Sequence, residues 1–315
     1  MQEVVIGTRG SQLALWQANW IHTELSRRFP KIKFSLKTIT TTGDKILNSP
    51  LSAIGDRGLF VKEIELALQE HEIDLAVHSM KDVPTFIPSD LAITAIPHRE
   101  DPRDVFISNR WTSFSQLPSG AQVGTSSLRR IAQLKAARPD LQFEPIRGNI
   151  NTRLRKLDEL ELDAIILAAA GVKRLGWTEQ ITEYLPMELV LPAVGQGALG
   201  IETRKDDDQT NALVRELHHP ETAAAVQAER GFLTQLEGGC QVPIGAWAEV
   251  QGDTVALQGL VASLDGSQVI KGQKQGPVAE AFAIGDALGR ELRTKGAQPI
   301  LDELRRLKEG GNAGY

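Results

Sequence analysis

Short β-branched runs alternate with segments of helical period in this chain, and they do so in two successive series. In the first, Val4-Val5-Ile6 precedes Leu13, Trp16, Trp20 and Leu25 at helical spacing; then come a run at 34–39, a helix over 61–69 and strands at 75–77 and 91–96. A polar, proline-containing stretch, His98 to Arg103, reads as a linker into the second series. There the pattern predicts strands at Asp104–Ile107, 122–125, 142–146 and Ala164–Ala168, with helices starting near Ser127 and Asn149. Alternation of this kind predicts an α/β fold, with helices packed on the faces of each sheet. From Pro220 the character changes: an alanine-rich helix, three antiparallel-type strands at 246–250, 254–263 and 268–274, and two helical stretches.

At 315 residues the chain exceeds one ordinary core, and domains of about 100–200 residues suggest two or three. The pattern divides it into residues 1–97 plus 198–215, residues 103–191, and a small α+β unit over 220–315. The glycine-rich segment from Val190 to Ile201 is the expected return crossing, which with the 98–103 linker makes a hinge. Within it, Gly195-Gln196-Gly197-Ala198-Leu199-Gly200 matches the dinucleotide-binding spacing, but a polar stretch follows where an apolar helix should open, so hinge glycines are the preferred reading. The segment 43–58 is too long for a turn and too aperiodic for an element, which makes it a candidate lid.

A net charge of -5 argues against general nucleic-acid binding, which needs a broad basic face. No apolar run approaches the roughly 20 residues that span a bilayer. The start enters Glu3-Val4-Val5-Ile6 without an export-type segment, and one cysteine offers no disulfide, so the expected address is cytoplasmic. Six scattered histidines give no metal-ligand spacing, and no metal is expected.

Any anion site must therefore be local, and the arginines show where. Arg9 lies in Gly7-Thr8-Arg9-Gly10-Ser11, Arg129 and Arg130 in Gly124-Thr125-Ser126-Ser127-Leu128-Arg129-Arg130, Arg147 and Arg153 in Arg147-Gly148-Asn149-Ile150-Asn151-Thr152-Arg153, and Arg174 shortly after Ala170-Gly171. These are strand-to-helix corners, where an open α/β sheet places its ligands. Helix N-termini offer free N–H groups, and Ser11, Thr125, Ser126 and Ser127 add hydroxyls beside the guanidinium forks; such corners select carboxylate or phosphate. Residues 103–191 hold twelve Lys/Arg against ten Asp/Glu, so the surplus is small but placed, and suits a small polyanion in a cleft.

His78-Ser79-Met80-Lys81-Asp82-Val83-Pro84 follows the strand at 75–77 and puts Lys81 and Asp82 where a strand ends at the cleft. An ionised carboxylate there can accept hydrogen bonds or stabilise a developing cation; the alternative is a turn aspartate beside a surface lysine. Cys240, the lone cysteine, lies in Glu237-Gly238-Gly239-Cys240-Gln241-Val242-Pro243 and is either a buried small hydrophobe or a nucleophile. Gly238 and Gly239 strip side chains from the approach to its sulfur, which favours chemistry.

Together, these five segments resemble the hydroxymethylbilane synthase (porphobilinogen deaminase) family, in order and over essentially the whole chain. The resemblance implies three domains, the first two like a type II periplasmic binding protein with the active cleft between them. It implies a dipyrromethane cofactor joined to Cys240 through a thioether, onto which four porphobilinogen units are added with loss of ammonia before water releases hydroxymethylbilane. By the same resemblance Asp82 is the central catalytic group. Arg9, Ser11, Lys81, Thr125, Ser126, Ser127, Arg129, Arg130, Arg147, Gly148, Arg153 and Arg174 would bind the acetate and propionate groups of porphobilinogen and of the growing oligopyrrole. Phe60 would stack on a pyrrole ring, and a monomer is implied. The rival reading is a non-catalytic receptor for a small carboxylate ligand, which uses the same corners but leaves Cys240 unexplained.

Overall fold

A computed structural model of the chain describes residues 3–45, 61–236 and 242–309. In chain order the first lobe contains β1 (Glu3–Thr8), α1 (Gln12–Arg28), β2 (Lys33–Thr38), the short α2 (Thr42–Lys45), α3 (Lys62–Gln69), β3 (Leu75–Ser79) and β4 (Leu91–Ala95). The second contains β5 (Asp104–Ile107), β6 (Gln122–Gly124), α4 (Leu128–Ala137), β7 (Gln142–Glu144), α5 (Ile150–Glu159), β8 (Ala164–Ala168), α6 (Ala169–Arg174) and β9 (Glu183–Tyr184). The chain then returns to the first sheet as β10 (Leu199–Arg204) and α7 (Asp208–Arg215). It ends with α8 (Pro220–Gln235), β11 (Ile244–Gln251), β12 (Thr254–Ala262), β13 (Val269–Pro277), α9 (Ala281–Leu292) and α10 (Gln298–Glu309).

Both lobes use one strand order. The first sheet runs β2-β1-β3-β10-β4 and the second β7-β6-β8-β5-β9. In each, three parallel strands are followed by one antiparallel strand that entered from the other lobe: β10 against β3, and β5 against β8. The two-lobed arrangement implied by the resemblance is thus written in the topology. Each sheet is covered on both faces; Val4, Ile6, Leu75 and Val77 pack under α1, while Ala76 packs with Ile64 and Leu68 of α3. The third unit is an antiparallel β11-β12-β13 sheet under α8 and α9. Those two helices cross closely: a Cβ at Gly285 would stand 1.9 Å from the Ala228 carbonyl oxygen, so glycine is required at the crossing.

The two crossings between lobes touch. Glu100 N donates to Gly197 O (3.2 Å) and Gln196 Nε2 to Pro102 O (2.6 Å). Gly195 and Gly197 have φ of 70° and 88°, and a Cβ on Gly197 would meet the Glu100 carbonyl oxygen at 2.3 Å. The Gly195–Gly200 motif therefore leads into a strand, β10, rather than out of a strand into a helix, and lacks the geometry that holds a pyrophosphate. Among the described residues no helix is long and apolar enough to cross a membrane.

Candidate active site

Five strand ends converge on the space between the lobes. After β1, Ser11 caps α1, its side-chain oxygen accepting from Ala14 N at 3.2 Å, which fixes Arg9 just before the helix. After β3 the chain makes one 3₁₀ turn, Met80 to Asp82. Met80 is buried, its N–H donates to Ala198 O (3.0 Å), and its Cβ lies where a side chain on Gly195 would have to go. With Met80 anchored inward, Lys81 and Asp82 are carried to the cleft. Asp82 lines a cavity of about 60 Å³ together with Arg9, Gln17, His78 and Ser79.

From the second lobe, Ser127 caps α4 without a side-chain hydrogen bond of its own to the helix, and Ser126 Oγ donates to Ile146 O (2.7 Å). Thr125 is buried, its Oγ1 accepting from Ser127 N (3.3 Å). Arg147 precedes α5; Gly148 has φ 107°, a left-handed conformation suited to glycine, and its carbonyl accepts from Arg153 Nε (2.9 Å).

Arg129 and Arg130 are buried at the start of α4 and share one carboxylate, Asp104 at the head of β5. Arg130 donates through Nη2 (2.7 Å) and Nε (3.1 Å) to one Asp104 oxygen, and an Arg129 Nη lies 2.8 Å from the other. Arg129 also donates to Leu191 O (2.7 Å) and Arg130 to Ile166 O (2.8 Å). Despite burial, the paired guanidinium groups hold Asp104 well below the usual carboxylate range. Two cations against one anion leave the spot electropositive.

The charges speak to one another across the cleft. Burial pushes the Lys81 ammonium down to about 8; Arg130 and Arg129 of the opposite lobe add to the fall, while Asp82 and Asp104 oppose it. Arg153 is pushed down to about 10, by burial first, with Arg130 and Arg147 adding and Asp82 opposing. Asp82, Lys81, Arg129, Arg130, Arg147 and Arg153 therefore form one electrostatic group, and Arg9 and Asp82 line the same small cavity. Arg174 is held differently. It ends α6 rather than opening a helix, donates to Gly197 O (2.7 Å), and lies 5.9 Å from the centroid of the Trp16 ring. Cys240, Phe60 and residues 46–58 of the candidate lid lie outside the described residues.

Sequence reading missed three participants. Gln17, buried on α1, donates to Ser79 Oγ (3.0 Å) at the edge of the Asp82 cavity. Asp104 is the counter-ion of the arginine pair; a carboxylate opening the apolar Asp104–Ile107 strand was its signal. The third, Glu229 on α8, is fully buried and accepts two hydrogen bonds from Arg99 (2.6 and 3.1 Å) and one from Gly195 N (2.7 Å), pinning the return crossing. Nothing local in the sequence pairs residues that far apart.

The family profile described as porphobilinogen deaminase, dipyrromethane cofactor binding domain, matches residues 4–212, and that of the porphobilinogen deaminase C-terminal domain matches residues 223–294. Porphobilinogen deaminase of Carboxydothermus hydrogenoformans is 55% identical over 97% of this chain and 98% of its own length. That of Geobacter sulfurreducens is 56% identical over 95% of this chain and 94% of its own. Among solved structures, the methionine-binding protein MetQ covers 68% of this chain and 89% of that chain at 12% identity with a TM-score of 0.45, a likeness that adds no weight to the strand order. On the profile match and on identity across nearly its full length, the chain belongs to the porphobilinogen deaminase family.

Proposed function

We propose that the cleft between the two lobes carries out the family's reaction with Asp82 as its central group and with Cys240 as the anchor of the primer. The chain is a transferase that takes porphobilinogen as substrate, joins four molecules head to tail on a dipyrromethane cofactor and releases hydroxymethylbilane and ammonia. The receptor reading gives way to this, since relatives matched over nearly their whole length are named as deaminases.

The residues present fit the cofactor. A dipyrromethane carries acetate and propionate groups, and the cleft presents buried cations, Lys81 lowered to about 8 and Arg153 to about 10 by burial first and then by neighbouring arginines. Anions placed there supply these buried cations with counter-charge, and guanidinium forks bind carboxylates through two parallel hydrogen bonds. When bound, the cofactor supplies the pyrrole carbon onto which the chain is built. Cys240 would hold it through its sulfur, a strong carbon nucleophile as thiolate.

Asp82 Oδ atoms accept pyrrole N–H groups, stabilise the positive charge that develops on the substrate as ammonia departs, and take up the proton shed afterwards. Lys81, Arg9, Arg147 and Arg153 hold the substrate's carboxylates on either side of Asp82. Ser11 and Ser127 contribute through the helix N-termini they cap. Arg129 and Arg130, fixed by Asp104, form the rigid wall against which the primer's carboxylates settle, and Thr125, Ser126 and Gly148 shape that wall. Arg174, donating to Gly197 O on the return crossing and lying over the Trp16 ring, would hold a carboxylate on the hinge side. Phe60 is our candidate for stacking on a ring. We assign residues 1–97 with 198–215, 103–191 and 220–315 to three units, and place the enzyme in the cytoplasm as a monomer without nucleic-acid or membrane partners, in keeping with its net charge of -5 and single cysteine.

One observation carries the reading: Asp82 lies amid cations from both lobes, the only kind of place where a carboxylate can serve a reacting cation while its neighbours hold a polyanion. Asp82→Asn keeps the shape and removes the charge. Turnover should fall by about 10²-fold or more with the cofactor still attached, the size of loss seen when a preorganised charge partner is removed. Near-normal turnover would take Asp82 out of the central role.

A further inference from the structure

The catalytic turn is gripped from outside its own lobe. Two adjacent residues of α8 do this, and α8 is the helix whose chain runs on to Cys240, ten residues past Arg230. Glu229 binds the N–H of Gly195, where a Cβ would stand 2.8 Å from Met80 Cβ and 3.2 Å from the Lys81 nitrogen. Arg230 goes to the other flank: Nη1 donates to Val83 O (3.1 Å) and Nη2 to Pro84 O (2.6 Å). The turn Met80–Asp82 closes through Val83 N to Met80 O, so Arg230 grips the first two residues after Asp82.

The partners Arg230 lacks are as informative as those it has. Asp104 is buried with two arginines, Glu229 with Arg99, and Arg204 with Asp74 and Asp207. Arg230 is partly buried and its pKa is lowered by that burial, yet among the described residues no carboxylate pairs with it. Removing a guanidinium from water without a counter-charge is a poor way to gain stability, and an apolar side chain would fill the place at less cost. What a forked, always-charged donor gives instead is geometry: two carbonyls held at fixed separation from one rigid plane.

We propose that Arg230 is a positioning residue for the reaction, locking the Asp82 turn to α8 so that the catalytic carboxylate keeps a fixed place against that helix. It touches neither substrate nor primer and acts through the backbone of residues 83 and 84. This rests on Asp82 as the central group of the proposed reaction and needs no particular anchor for the primer.

The test uses the loaded enzyme with porphobilinogen as substrate. Arg230→Ala should retain the cofactor mass and a KM within about threefold of the parent, while kcat falls by about 10- to 100-fold, the range expected when a reacting group is displaced by an ångström or less. Arg230→Lys, which can still donate to one carbonyl, should recover a large part of that loss. Single-turnover mass spectra of Arg230→Ala should show each added unit arriving late, with no single addition selectively blocked. The inference is overturned if kcat of Arg230→Ala stays within about twofold of the parent, if Arg230→Lys is no better than Arg230→Ala, or if only loading suffers and the loaded fraction elongates normally. Where Arg230→Ala does not fold, Arg230→Met against Arg230→Lys makes the same comparison. An unmodified mass in active parent enzyme would instead defeat the Cys240 assignment and leave the kcat test of the turn intact.

Discussion

Asp104→Asn is the sharpest probe of how the second lobe holds its arginines. The substitution keeps the volume and one carbonyl oxygen, which can still accept from Arg130 and from Gln196 Nε2 (3.0 Å). The other oxygen becomes an NH₂ facing the Arg129 guanidinium nitrogen that now lies 2.8 Å away, so a donor confronts a donor. Both guanidinium groups, each about 95% buried, lose their shared anion. Removing one member of a buried ion pair costs about 3–5 kcal/mol because the partner charge is left stranded. At 1.4 kcal/mol per factor of ten, that is about 10²- to 10⁴-fold in the opening equilibrium of this lobe. Hydrogen exchange on the amides of β5 and β8, which carry Asp104 and its neighbours, reads that equilibrium without requiring the whole chain to unfold in one step. The exposed Arg138–Asp140 pair supplies the control, and Asp140→Asn should leave protection nearly unchanged. Because Asp104 is held below the ordinary carboxylate range, its contribution is fully present above the unfolded-state value near 3.8 and is lost only as pH falls through its lower folded value. Protection should thus be flat with pH above about 5 in the parent. A loss under about 1 kcal/mol in Asp104→Asn would mean that the pair is not a buried counter-ion arrangement, and the reasoning would fail.

Two further expectations concern titration. Lys81 in the ligand-free cleft gives up its proton as pH rises through about 8, so binding of porphobilinogen to the cofactor-free chain should weaken above that pH, and Lys81→Met should be weaker throughout but lose this dependence; calorimetric titration at several pH values decides it, and an unchanged slope in Lys81→Met counts against the assignment. Glu65, on α3 near the buried His78–Glu202 pair, is raised to about 7 by burial and then by Glu202. A carboxyl raised in the folded state binds its proton more tightly there, so its contribution is complete below the unfolded value near 4.5 and is lost as pH rises through about 7. Urea midpoints of Glu65→Gln should therefore gain on the parent between those limits and run parallel above pH 7; a constant gap at all pH values would refute the shift.

Much of this architecture can be read along the chain because β-branched runs and helical spacing mark their own elements. Asp104–Ile107 and Ala164–Ala168 match the sequence expectation at both ends, and the caps Ser127 and Asn149 sit at the predicted helix starts. The expected strands at 122–125 and 142–146 stop at Gly124 and Glu144, because the next residues turn toward the cleft. β10 hides best: its Ile201-Glu202-Thr203-Arg204 looks like a polar loop, yet every residue is buried in the sheet. Its polarity is internal, with Glu202 on His78 and Arg204 on Asp74 and Asp207. The same limit applies to the site. Arg9, Lys81, Asp82 and the arginine corners announce themselves by position at strand ends. Their supports do not, since Asp104, Glu229 and Arg230 take their meaning from partners 26, 130 and 147 residues away.

The claim on which the rest depends is that the chain builds its product on a group bonded to its own Cys240. Intact-mass measurement of the native chain beside Cys240→Ala tests it directly. The native chain should carry the added mass of two linked pyrrole units through denaturation, and Cys240→Ala should show the bare polypeptide without turnover. A bare mass in an active native chain, or the same addition persisting in Cys240→Ala, would contradict it.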